Sequence, residues 1–420
     1  MELPPRSALA GAWALEPGVV FLNHGSFGAC PAPVLEAQQA WRSRLEAQPV
    51  RFLARELEGA LDAARGELAA FLGADPDDLA FVPNATHGVN SVLRSLCFRS
   101  GDELLTDDHE YNAAANALRF AAQRDGARVV VADVPFPAHP GEPRLGGPDA
   151  VVEAVTGAVT SRTRLALLSH VTSPTGLVFP LERLARELAA RDVEVLVDGA
   201  HAPGMVPLDL GRLARAGVTY YTGNGHKWLC GPKGSGFLWV RRDRQAAIRP
   251  LAISHGANSP RLDRPRFRLE FDWTGTADPS PYLALPAALR FGATLRPGGW
   301  PAGMAANRSL AIEGRAAVMA ALGLEAPAPE AMLGSLASVP LPEPRTARSG
   351  TPTASPLDDD PLQAELREAY AIEVPILTWP QPWRASATPP GRLLRISAQA
   401  YDTPAEYDYL AAALAEALAR

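Results

Sequence analysis

Between residues 79 and 240 the chain alternates short runs of apolar and β-branched residues with segments of helical spacing. The runs 79–83, 103–106, 128–134, 164–170, 194–197, 218–221 and 236–240 are apolar with little alternation, the pattern of strands buried on both faces. Between most of them, apolar positions recur three and four residues apart, at 88–97, 112–124 and 181–191, which predicts crossover helices. The expected fold class is α/β, with a mostly parallel seven-stranded sheet.

Ahead of this region, 34–47 and 55–72 read as amphipathic helices. Beyond residue 283 the alternation weakens into helices at 285–295 and 307–322, weak strands, and a final helix at 404–418. This predicts a smaller α+β domain. The expected division is an N-terminal segment, 1–20, packing with that small domain, a large domain at 21–284, and the small domain at 285–420. The stretch 340–361, rich in proline and small residues and carrying three consecutive aspartates, is expected to be an irregular insertion.

In a parallel sheet, ligands sit beyond the carboxyl ends of the strands. Five polar clusters follow predicted strands directly: 84–87, 107–112, 170–176, 198–201 and 222–227. All five should meet on one rim.

Composition sharpens the picture at one point. Of the 40 positive side chains only Lys227 and Lys233 are lysines. A guanidinium stays protonated and cannot attack an aldehyde, whereas a deprotonated amine can. Lys227 is therefore a candidate for Schiff-base chemistry, above all with pyridoxal phosphate, although an arginine-biased composition that leaves two surface lysines accounts for the same count. The net charge of -6 and the lack of any basic stripe argue against nucleic acid. Cys30, Cys97 and Cys230 form neither a disulfide framework nor a metal knuckle, and no metal is expected. No apolar run reaches transmembrane length and residues 1–13 carry no signal core, so a cytoplasmic protein without a membrane partner is expected.

Asp198 ends the apolar run 193–197. A carboxylate buried there is costly unless it meets a cation or hydrogen-bond donors. The protonated ring nitrogen of a pyridoxal cofactor is such a partner, and capping of the next turn is the plainer one. His201 can reach the same ligand or serve structurally. Asn84, Ala85 and Thr86 precede a helix whose free N–H groups suit a phosphate, or are simply capped. Asn224 and His226 add two donors just before Lys227. Arg395, within an apolar strand pattern, is either a buried ion pair or a fork for a substrate carboxylate. Asn23, His24 and Arg51 are candidates for the substrate entrance, each with a structural alternative.

Seven stretches in order carry a family likeness: Phe21-Leu-Asn-His-Gly-Ser-Phe-Gly28, Pro83-Asn-Ala-Thr86, His109-Glu-Tyr-Asn112, Val197-Asp-Gly-Ala-His-Ala-Pro-Gly204, His226-Lys-Trp-Leu229, Asp272-Trp-Thr-Gly-Thr276 and Arg395-Ile-Ser-Ala-Gln-Ala-Tyr-Asp-Thr403. Together they resemble the class V aminotransferase family of fold-type I pyridoxal phosphate enzymes, in its isopenicillin N epimerase-like branch. The resemblance implies an internal aldimine on Lys227, a pyridine nitrogen paired with Asp198, and a phenolic oxygen met by His201. It implies a phosphate held by Ala85, Thr86, Asn224 and His226, where many relatives have serine at the position of Asn224. Ser173 joins the cofactor-binding set, and Tyr111, or His109 under a shifted alignment, stacks on the cofactor. Thr276 would reach a neighbouring subunit's phosphate in a homodimer, and Arg395 would take the carboxylate of an amino-acid substrate.

Lys227 and Asp198, with Tyr111, are then the catalytic candidates. Loss of the Cα proton to Lys227 leads to a quinonoid with several fates. Epimerisation comes first by likeness and needs a second proton donor; a C–S or other β-lyase needs one base, and aminotransfer is third. The absence of cysteine after Cys230 speaks against the persulfide route of cysteine desulfurases. Outside enzymes, a non-catalytic regulator that binds the cofactor or a metabolite would have no use for the electron sink that Asp198 maintains.

Overall fold

The structure, a computed structural model, describes residues 2–343, 360–381, 383 and 389–419. Most of the insertion expected at 340–361 therefore lies outside the described residues. Strand β1 (Val20–Phe21) comes first, followed by β2 (Leu79–Val82), β3 (Glu103–Asp107), β4 (Arg128–Ala132), β5 (Thr163–Ser169), β6 (Glu194–Gly199), β7 (Val218–Asn224) and β8 (Gly236–Val240). The last seven form one sheet in the order β2-β8-β7-β6-β5-β3-β4. These are the seven runs that the hydrophobic pattern picked out, shifted at their ends by at most three residues.

Strands β3 to β7 are mutually parallel, and β8 is antiparallel to both β7 and β2. Residues 225–235 turn from β7 to β8 without a helix, too short a path for a parallel crossover. Because β2 runs against β8, it points the same way as β7. The loops after β2, β3, β5, β6 and β7 consequently share one rim.

Helix Ala85–Ser95 starts three residues earlier than its apolar spacing indicates, because Asn84 caps it: Asn84 Oδ1 accepts the His87 N–H at 2.9 Å. The helix presses onto β7 at Gly88, where a Cβ would come within 2.1 Å of Thr222 Oγ1. Helix Gly299–Leu322 likewise begins before the expected 307, and helix Leu57–Leu72 is preceded by a π-helical turn, Phe52–Glu56.

The C-terminal part contributes β9 (Leu336–Leu341), β10 (Ile372–Glu373), β11 (Ile376–Trp379) and β12 (Gly391–Ser397). An antiparallel sheet orders them β11-β12-β9, while β10 pairs in parallel with β1. The chain start is further tied down by Arg6, which donates to the carbonyls of Glu16 and Val19. Along β12, Leu394 and Ile396 fill the core on one face, which leaves Arg395 pointing to the other. No helix among the described residues is long and apolar enough to cross a membrane.

Candidate active site

Asp198, near the end of β6, is 4 % exposed. Its Oδ1 accepts the Ala200 N–H at 2.9 Å, and among the described residues no cation lies within ion-pair distance of the carboxylate. Burial raises its pKa, against the pull of the Ala200 hydrogen bond and the Lys227 charge. Such a group is held at a cost of several kcal/mol until a donor or cation arrives.

Lys227 emerges from the β7 loop, partly buried, with Nζ 3.0 Å from His201 Nε2. Loss of hydration, then the positive charge of Arg395, brings its pKa down to about 7, with Asp198 opposing. The backbone of Lys227 is held from behind. Gly28, at φ +69, packs so closely that a Cβ would fall 2.0 Å from the His226 carbonyl oxygen. His24 Nε2 lies 3.1 Å from the Lys227 carbonyl oxygen, and its Nδ1 lies 2.8 Å from Tyr401 Oη. His24 is completely buried and braces the lysine loop, in keeping with the structural alternative that the sequence left open.

At the start of helix Ala85–Ser95, Ala85 N–H donates to Asn224 Oδ1 at 2.8 Å, and the Gly88 N–H is taken by the Asn84 carbonyl. Thr86, half-buried, is the next residue of that helix after the N–H that Asn224 holds. The His226 pKa is lowered to about 4, by burial first and the Lys227 charge second. The one N–H of the neutral ring, on Nδ1, faces the Ser235 carbonyl at 3.3 Å, so the helix N-terminus is what makes an anion seat.

Arg395 is 4 % exposed and meets no carboxylate among the described residues. Its Nη1 donates to the Ser173 carbonyl at 2.8 Å and Oγ at 3.2 Å, and its Nη2 to Ser26 Oγ at 2.9 Å. Its Nε is buried without a partner, and burial lowers its pKa to about 10. Ser26 is passed on to Asn23 at 2.6 Å, and Asn23 Nδ2 donates to Glu373 Oε1 at 3.0 Å. Asn23 thus steadies the arginine's partner from one remove.

The structure separates Tyr111 from His109. His109 is fully buried, 2.7 Å from Thr175 Oγ1 and 3.0 Å from the Val134 carbonyl, among Phe136, Phe179 and Trp379. Tyr111 stays on the rim, 39 % exposed. Partial burial and then Asp198 raise its pKa while Arg395 lowers it. Two other expected residues stand apart from the cluster within this chain. Arg51 pairs with Glu56 at 3.1 Å on an exposed turn, and Thr276 sits in an exposed loop after Gly275, which is at φ +125.

Residues that the sequence did not single out complete the site. Ser26 and Glu373 are tied in through Arg395, and Trp228 through His201. Glu110 is fully buried with Oε2 unpartnered, its pKa pushed well up by burial, then by Asp198 and Asp107. The motif containing Glu110 offered a signal, but one that drew attention to the aromatic next to it.

The donor set defines what fits: a carbonyl for Lys227, an N–H or cation for Asp198, and an anion for the helix start at Thr86. Pyridoxal phosphate carries all three. Capture of it should speed up as pH rises through about 7 and level off above, because only the amine form of Lys227 attacks a carbonyl. Stopped-flow absorbance of cofactor-free protein mixed with pyridoxal phosphate checks this; a rate still climbing steeply near pH 10 would place the lysine pKa at its ordinary value.

Comparison with known proteins agrees with this donor set. Residues 20–291 match the family model described as aminotransferase class-V. An isopenicillin N epimerase of Amycolatopsis lactamdurans is 39% identical, over 97% of this chain and 99% of its own length. A probable L-cysteine desulfhydrase, chloroplastic, of Arabidopsis thaliana is 29% identical over 94% and 82%. Among solved structures, a C-DES mutant with glycine covalently linked to its PLP cofactor superposes with a TM-score of 0.75 at 24% identity, over 95% of this chain and 97% of that one. The chain belongs to the aminotransferase class-V family and is a pyridoxal-phosphate-dependent enzyme of fold type I.

Proposed function

We propose that this enzyme inverts the α-carbon of an amino-acid substrate, in the manner of an isopenicillin N epimerase. The observation that carries the reading is the 39% identity to such an epimerase along essentially both whole chains, together with the lysine, aspartate and arginine of the site. When bound, pyridoxal phosphate supplies an electron sink for the carbanion left at Cα. Asp198 would keep the ring nitrogen protonated and His201 would meet the phenolic oxygen. Ala85, Thr86, Asn224 and His226 would seat the phosphate, with Thr276 of a second copy completing it in a homodimer.

Arg395, steadied by Ser173 and Ser26, would clamp the substrate carboxylate and so orient the Cα–H bond. Lys227 Nζ, with a pKa near neutrality, is suited to take the Cα proton. Tyr111 enters from the β3 loop, three strands away from the β7 loop that carries Lys227. Its raised pKa keeps the phenol protonated, which suits a donor from the second side, with Arg395 near to stabilise the phenolate. Incubation with isopenicillin N in D2O, followed by NMR at the aminoadipyl Cα, tests the function. Deuterium incorporation with inversion is the expected result, and no exchange would confine the likeness to fold and cofactor.

Tyr111→Phe separates the two proton transfers. Inversion should fall by about 100-fold or more while exchange with retention persists. Equal loss of both would remove Tyr111 from the donor role.

A second reading, β-elimination, is favoured by the desulfhydrase relatives. A persulfide route is a poor fit for these thiols. Cys30 and Cys230 are buried and their pKa values are raised by burial, Cys30 to about 11. A lyase would instead convert cysteine and water to pyruvate, ammonia and sulfide using the same Lys227, and a coupled lactate dehydrogenase assay detects the pyruvate.

A further inference from the structure

His201 is hydrogen-bonded at both ring nitrogens, and the two partners are not equivalent. Trp228 Nε1 lies 3.3 Å from His201 Nδ1, and Lys227 Nζ lies 3.0 Å from His201 Nε2. An indole N–H can only donate. Nδ1 must therefore accept, and a neutral ring must carry its hydrogen on Nε2. We propose that Trp228 is a positioning residue whose N–H fixes His201 as the Nε2–H tautomer, and that this tautomer holds Lys227 as a free amine by donating to its lone pair.

The alternative arrangement is blocked by the same indole. A Lys227 ammonium has no lone pair, so it could bond Nε2 only if that nitrogen gave up its hydrogen. The hydrogen of a neutral ring would then sit on Nδ1, facing the Trp228 N–H, donor against donor. Loss of the second proton from His201 is too costly to consider. A doubly protonated His201 would oppose both partners, and burial together with the Lys227 charge keeps that form away. Trp228 is 2 % exposed and its ring lies against His24 at 4.9 Å between centroids, so the indole is not free to swing aside.

The other charged or titratable groups bearing on this pair are Arg395, His226, His24 and Asp198. All of them remain when Trp228 is changed. The inference rests on the reading of Lys227 as the amine that receives the cofactor, and it adds the device that keeps that amine ready.

Two measurements on the full-length chain test it. In the cofactor-free wild type, ¹⁵N NMR of histidine-labelled protein, with the His201 signals assigned by their loss in His201→Gln, should show hydrogen on Nε2. Hydrogen on Nδ1 would overturn the proposal, and this readout needs no variant of Trp228. In Trp228→Phe, the midpoint for acetylation of Lys227, read by mass spectrometry across pH, should rise by about one unit, a tenfold shift toward the ammonium, as expected for loss of one hydrogen bond. The same change in a His201→Gln background should leave the midpoint where it was. An unmoved midpoint in folded Trp228→Phe overturns the proposal even if borohydride reduction still attaches the cofactor to Lys227. Failure of that reduction in the wild type would instead overturn the underlying reading of the lysine.

Discussion

Lys227→Ala should lower turnover by about 10⁴-fold or more while leaving the fold and the phosphate seat in place. The amine has two tasks in the proposed reaction, covalent attachment of the cofactor and removal of the Cα proton, and neither can pass to a neighbour. Lys233, the other lysine, is occupied by the Gly28 carbonyl at 2.7 Å. Lys227→Arg should fare as badly, since a guanidinium is neither nucleophile nor base at neutral pH. The check is steady-state inversion of isopenicillin N, with circular dichroism to establish folding and absorbance to follow non-covalent cofactor binding. Retention of more than about one hundredth of the activity in the alanine variant would transfer the base to another residue.

Asp198→Asn should cost about 10²- to 10³-fold in turnover, the scale seen when one preorganised electrostatic partner is removed from a reaction centre. The amide has the same shape and its oxygen can still accept the Ala200 N–H, so the change isolates the charge. Without that charge the ring nitrogen of the bound cofactor is no longer kept protonated, and the electron sink weakens. Two neighbours should respond in known directions. Asp198 raises the pKa of Lys227 and of Glu110, so both should titrate lower in the variant. Lys227 acetylation across pH reads the first, and a wild-type rate of inversion in Asp198→Asn would separate this carboxylate from catalysis altogether.

How much was legible beforehand differs from residue to residue. The strand runs are apolar at nearly every position because both faces of the sheet are covered, which is why all seven were found and why β8 could not be told apart as antiparallel. Direction is set by the path of 225–235, not by the strand's own residues. The early start of helix Ala85–Ser95 was hidden for a related reason. Its cap is a hydrogen bond from the His87 N–H to the Asn84 side chain, and apolar spacing carries no record of it.

The site divides in the same way. Lys227 and Asp198 stood out because their chemistry is conspicuous where they occur: one of two lysines in an arginine-rich chain, and a carboxylate at the end of an apolar strand. His24 did not declare its role, since a histidine in a polar loop looks the same whether it faces substrate or, as here, is closed in by Tyr401 and the Lys227 carbonyl. Ser26 and Glu373 are hundreds of residues from one another and are linked through Asn23, which the pairing of β1 with β10 brings beside Glu373.

The sequence by itself determined the α/β class, the rim of loops, and the lysine and carboxylate that suit a pyridoxal cofactor, because periodicity and residue chemistry are local properties. The tertiary structure alone decided which partner each polar group has. It gave Arg395 two serines and, among the described residues, no carboxylate, put Tyr111 and not His109 on the rim, and set Trp228 behind His201. Hydrogen bonding and desolvation depend on distances between segments far apart in the chain, and those distances exist only once the sheet and its loops are assembled.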